Sequence, residues 1–145
     1  MSENSILSIM IKDHCKIEKL LGDLEEKIDE DFETMSKAFH KFEWNLEKHL
    51  FTEEKAIFTT YSPVDVSEGY KMLPSLTEQH NYLINQLNIW REQIRKKQKI
   101  SGFYDFKNYL TKHRLFEEKE VYPKLDEALK DNQKQHIINR INEMV

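Results

Sequence analysis

Apolar residues recur along most of this chain at intervals of three and four, the period of an amphipathic α-helix. The first stretch covers residues 5–28, with a stripe of Ile6, Met10, Ile17, Leu21, Leu24 and Ile28. Residues 29–31 read as a tight polar turn that caps the next helix. The second stretch carries Met35, Phe39, Phe42, Leu46, His49, Glu53 and Ala56. It is expected to end before Pro63, because the residue preceding a proline disfavours helical backbone. Residues 62–69 are the expected long loop. The third stretch carries Leu73, Leu76, His80, Leu83, Leu87, Trp90 and Ile94, with Pro74 either in its first turn or kinking it. After a polar turn at residues 96–102, the fourth carries Phe103, Phe106, Leu110, His113, Glu117 and Val121, and Pro123 interrupts it. A final short helix is predicted over residues 125–144, with Leu125, Leu129, Ile137 and Ile141 on its stripe. Short connections between four long helices predict an all-α fold, an up-down-up-down antiparallel four-helix bundle with a short C-terminal helix. The length of 145 residues fits a single domain over residues 1–145.

Some positions on these stripes are polar. The phrase His49-Leu50-Phe51-Thr52-Glu53-Glu54-Lys55 returns, with small changes, as His113-Arg114-Leu115-Phe116-Glu117-Glu118-Lys119. On an α-helix, a His and a Glu four residues apart share a face, one turn apart. Glu53 and Glu117 fall near the centres of their stripes, with His49 and His113 about 40° to one side. Glu54 and Glu118 point about 100° off centre, to the flank, and His40 faces water at about 140°. His14 and His80 lie on the stripes of the first and third helices. His14 also opens a third His-x-x-x-Glu pair ending at Glu18, but Glu18 stands about 80° off its stripe and ranks far below the others. Six polar groups therefore face the core: His14, His49, Glu53, His80, His113 and Glu117. An ionised carboxylate is costly to bury without a partner, and no Lys or Arg lies centrally on these stripes. A metal ion would supply the missing positive charge. A lone core histidine is more often hydrogen-bonded than metal-bound; the weight rests on the set of six, drawn from facing helices as metal sites in bundles are.

Composition narrows the function classes. Only 3 Gly and 3 Pro among 145 residues, with 33% charged residues, agree with a mostly helical chain. The net charge of -4 offers no basic face for nucleic acid and no attraction to a membrane surface. No apolar run approaches the roughly 18 residues of a membrane span, and residues 1–12 show no signal-peptide pattern. The single cysteine, Cys15, excludes an internal disulfide framework and fits a reducing, cytoplasmic setting. Cys15 is expected to pack, about 100° away from His14. The cluster Arg95, Lys96, Lys97 and Lys99 is expected to be a solvated helix end, where cations offset the helix dipole.

At its six inward residues the chain resembles the hemerythrin-like, HHE cation-binding family. That family carries one His on the first helix, His-x-x-x-Glu on the second, His on the third and His-x-x-x-Glu on the fourth. Here these are His14, His49 with Glu53, His80, and His113 with Glu117, and the resemblance spans residues 13–123. Oxygen-carrying hemerythrins have a further His one turn after the third-helix ligand, where this chain has Ile84, and a longer His-to-Asp spacing at the end. Both departures are similar to the HHE branch, which includes oxygen- or iron-sensing modules and iron–sulfur cluster repair proteins. A ferritin-like site would instead read Glu-x-x-His.

The resemblance implies two iron ions bridged by Glu53 and Glu117 and by an oxo or hydroxo group. It implies His14 and His49 on one iron, His80 and His113 on the other, and about one open position on each. The ions' own charge would favour a small ligand such as oxygen, peroxide, nitric oxide or azide. The function expected is therefore binding, sensing or reacting with oxygen or a related small oxidant. The alternatives are an iron donor or nitric oxide-handling enzyme in cluster repair, and an iron-responsive interaction module whose protein partner is unknown. No catalytic acid or base beyond the ligands is evident, and manganese or zinc also suits a His and carboxylate site. Pocket walls are expected from Ile17, Leu21, Phe42, Leu46, Leu83, Ile84, Leu87, Leu110 and Phe116. Tyr109 is read as a core tyrosine, with a hydrogen bond to an iron ligand as the alternative.

Overall fold

The computed structural model describes residues 5–58 and 73–144, and every regular element among them is helical. Helix α1 spans Ile6–Lys27, α2 Phe32–Thr52, α3 Leu73–Arg95, α4 Phe103–Phe116, α5 Tyr122–Ala128 and α6 Asp131–Met144. Two π-helical segments, Glu53–Phe58 and Glu117–Val121, continue α2 and α4 without a break, and the second runs directly into α5. The expected loop at residues 62–69 and the expected helix end before Pro63 lie outside the described residues.

The helix starts follow the capping chemistry of the sequence. Ser5 Oγ accepts the backbone N–H of Ser8 at 3.0 Å, and Asp31 Oδ1 accepts that of Thr34 at 2.9 Å. The first amides of α1 are also met from far along the chain. Asp126 on α5 accepts the N–H groups of Ile6 and Leu7 at 2.9 and 3.1 Å. Pro74 sits in the first turn of α3, where its missing N–H costs nothing. Between α3 and α4 the chain turns through Lys97 (φ 59°) and Gly102 (φ 73°), and Trp90 Nε1–H holds the turn by donating to Ser101 O at 2.6 Å. Lys99 is not merely solvated, because its ammonium donates to the carbonyl of Ile28 at 2.7 Å and closes the C-terminal end of α1.

Two expectations need correction in the C-terminal third. Pro123 does not interrupt the fourth helix. It falls in the first turn of α5, and the helical path passes through it by way of the π segment. The final helix is two helices, because Leu129 is extended (φ -86°, ψ 143°) and α6 starts afresh at Asp131. A third correction concerns Cys15, which is exposed rather than packed.

Helix α1 packs on α2, α2 on α3, α3 on α4 and α4 on α1, while α5 lies against α1 and α6 against the first π segment. The apolar residues form two separate clusters. One holds Ile17, Phe42, Leu46, Leu83, Trp90 and Leu110 among others; the second holds Met10, Ala56, Leu76, Val121, Tyr122 and Ile137 among others. In each long helix the switch from one cluster to the other coincides with the inward polar residues. His14 lies between Met10 and Ile17, His49 and Glu53 between Leu46 and Ala56, His80 between Leu76 and Leu83, and His113 and Glu117 between Leu110 and Val121. A polar layer is thus enclosed by apolar ones. Among the described residues no helix is long and apolar enough to cross a membrane.

Candidate metal centre

All six inward residues are buried. Glu53, Glu117 and His80 are 0% exposed and no member exceeds 5%. Each histidine turns Nε2 toward the carboxylates. His49 Nε2 is 3.1 Å from Glu53 Oε1, and His80 Nε2 is 3.3 Å from the same oxygen. His14 Nε2 is 3.2 Å and His113 Nε2 3.3 Å from Glu117 Oε1. The Nε2 atoms of His14 and His49 are 3.2 Å apart. Each carboxylate therefore stands between one histidine of the α1/α2 pair and one of the α3/α4 pair, or between two facing helices.

The other nitrogen of every ring is held from outside. His14 Nδ1 is 2.7 Å from Glu118 Oε2, His80 Nδ1 3.3 Å from Glu54 Oε1, and His113 Nδ1 2.5 Å from Gln79 Oε1, while His49 Nδ1 is bonded to Asp13. Carboxylate and amide oxygens only accept, so Nδ1–H donates in each case and a neutral ring presents its Nε2 lone pair inward. Metal-ligating histidines are oriented by this kind of partner. Glu54 and Glu118 do leave the stripe for the flank, as the 100° geometry predicts, but there they hold His80 and His14.

Several inward atoms lack a hydrogen-bond partner among the described residues: Glu53 Oε1, both oxygens of Glu117 and His113 Nε2. Buried polar atoms are seldom left in this condition. Two ligands of one ion, at about 2.1–2.2 Å and roughly at right angles, lie about 3.0–3.1 Å apart. The observed separations of 3.1–3.3 Å are close to this. Two overlapping groups of donor atoms satisfy the spacing: Glu53, His80, His113 and Glu117, and His14, His49 and Glu117. The residues present fit a pair of metal ions that share a carboxylate.

The protein groups set a strong charge balance of their own. Burial opposes charge on His49, but Glu53 and Asp13 outweigh it and lift its pKa to about 10. His80 is likewise opposed by burial and raised by Glu117 and Glu53, to about 10. Burial pushes Glu117 up, yet the charge of His113 and the close approach of Glu53 and His14 bring it well below the usual carboxylate range. The layer favours carboxylates facing positive charge, which is also what metal ions would provide.

Tyr122 is a site residue that the helical reading of the sequence misses. It is fully buried, its ring centroid lies 6.0 Å from that of His14, and its hydroxyl donates to Glu53 Oε2. Burial, with the charges of Glu117 and Glu53, raises its pKa well above that of a free tyrosine, so it remains a donor. On an α-helix, Tyr122 would point about 140° from Glu117. The π segment changes this. Its turn closes from Tyr122 N–H to Glu117 O, five residues back, and returns Tyr122 toward the site. Tyr109 takes no part in the site and stacks on Tyr82 at 3.8 Å. Of the expected pocket walls, Ile17, Leu21, Leu46 and Leu110 line a cavity beside the site, joined by Leu50; Phe42, Leu83 and Leu87 are packed in the apolar core instead. Compared with known protein families, with curated proteins and with solved structures, the chain matches none.

Proposed function

We propose that this chain is a non-haem di-iron protein that binds, senses or reacts with oxygen or a related small oxidant. It would do so at His14, His49, Glu53, His80, His113 and Glu117, in an up-down-up-down four-helix bundle of the hemerythrin-like kind. The observation that carries the reading is the two-sided arrangement of the histidines. Four Nε2 atoms converge on two buried carboxylates while four Nδ1 atoms are held by acceptors from outside the layer.

Within the proposal each residue has a definite task. His14 and His49 would hold one ion and His80 and His113 the other, with Glu117, whose oxygens have no hydrogen bond among the described residues, shared between them. Glu53 offers Oε1 to both sides, while Tyr122 fixes its Oε2. Asp13, Glu54, Gln79 and Glu118 lock the ring orientations. The apolar clusters on both sides exclude bulk water, which tunes the potential of the site. Iron bound here would supply one-electron redox chemistry and open positions for a small ligand. The test is to load the protein with ferrous iron without oxygen and then admit air. Near-ultraviolet absorption from oxidised, histidine-held iron is expected to grow in, and loaded protein whose spectrum does not change in air would refute the oxidant reading.

A further inference from the structure

Arg114 follows a candidate ligand on α4 but points elsewhere. Its Nε is ion-paired with Glu18 on α1, and its Nη1 lies 3.4 Å from Glu118 Oε1. Glu118 in turn holds His14 Nδ1 at 2.7 Å. Arg114, Glu18 and His14 meet a cavity of about 20 Å³, enough for about one water-sized molecule. Its buried lining is aliphatic (Ile17, Leu21, Leu46, Leu50 and Leu110) apart from the rings of His14, His49 and His113. Its solvent-facing lining is Glu18, Thr111 and Arg114, with Glu18 43% and Arg114 24% exposed. The cavity therefore joins the candidate centre to the surface, and the one ion pair between α1 and α4 at its outer end is Glu18–Arg114 among the described residues.

We propose that the Glu18–Arg114 pair is the door through which ligands reach the centre, and that it selects small uncharged diatomic molecules over anions. This rests on the reading of the centre as one that takes metal and a small ligand. Three features carry the choice. The cavity has no room for more than a few atoms. Its aliphatic wall strips water from whatever enters, a heavy penalty for an ion and a slight one for an uncharged diatomic molecule. At the outer end Arg114 faces Glu18 in the lining and Glu118 behind it, so these three side chains together carry one net negative charge, which repels anions. A partly exposed ion pair is weak and reforms readily, so it can open without unfolding its helices.

The test uses the full chain loaded with iron, with Glu18→Gln and Arg114→Met beside the unaltered protein. Stopped-flow mixing measures association and dissociation of nitric oxide with the ferrous form and of azide with the ferric form. Neither substituted residue belongs to the ligand set, so iron content is expected to stay the same. A door alters both rates and leaves equilibrium alone. Both variants should therefore speed nitric oxide association and dissociation by the same factor, with Kd unchanged. Glu18→Gln, which removes the doorway's net charge, should raise azide association about tenfold, and by more than it raises that of nitric oxide. Unaltered rates in both variants would overturn the proposal. So would a change confined to dissociation and Kd, the mark of a merely structural contact. Loaded, unaltered protein that binds neither ligand would instead refute the metal-centre reading, and the door with it.

Discussion

A histidine that takes a metal on Nε2 must first give up any proton on that nitrogen. His49 and His80 hold theirs up to a pKa of about 10, because nearby carboxylates outweigh the effect of burial. A raised pKa favours the protonated ring below that value, so at pH 8 both rings are charged until metal arrives. Loading divalent metal at pH 8 is expected to release protons from both rings, measurable with an indicator dye in weak buffer; saturation with no release would show that the rings are neutral before metal binds, against the raised pKa. Tyr122 gives a second expectation at this scale. Tyr122→Phe removes the donor to Glu53 Oε2 in a dry interior, which should cost about 1–3 kcal/mol in urea unfolding. A loss below about 0.5 kcal/mol would show that the bond does not stabilise the fold. The six inward residues are legible from sequence, since stripe position alone places them. Asp13, Glu54, Gln79 and Glu118 are not, because exposed and flank positions are crowded with ordinary polar residues and nothing in the spacing singles them out.

At the scale of elements, periodicity locates the four long helices to within a residue or two where they are described, and the capping residues Ser5 and Asp31 explain the starts of α1 and α2. What periodicity cannot show is a change of helical pitch. Both His-x-x-x-Glu repeats pass from α to π at the glutamate itself, at Glu53 and at Glu117. The local hydrophobic spacing is too short to distinguish the two pitches, so the sequence reading carries α geometry through and turns Tyr122 away. The break at Leu129 is hidden for a similar reason, since Leu125, Leu129, Ile137 and Ile141 remain compatible with one stripe across it. One contact ties these C-terminal elements to the start of the chain. Asp126 receives two N–H groups of α1, so Asp126→Ala should lower stability by about 1–2 kcal/mol in urea unfolding while metal content is unchanged. A loss of metal larger than the loss of stability would mean that α5 positions the site more tightly than this carboxylate explains.

For the whole molecule, the organising feature is a polar layer of ionisable groups between two apolar clusters. Such a layer is expensive unless its charges are compensated. Hydrogen bonds between the histidines and glutamates do not complete that compensation, since among the described residues both oxygens of Glu117 are without one. Metal ions in this layer would complete it. The most direct measurement is an anaerobic titration with ferrous iron, followed by elemental analysis of the unaltered chain, Glu53→Ala and Glu117→Ala. The unaltered chain is expected to retain about two ions, as its two overlapping donor groups imply, and each variant to lose a bridge and much of the metal. A folded, unaltered chain that retains no iron, or retention that both variants share undiminished, would contradict metal occupancy of this layer.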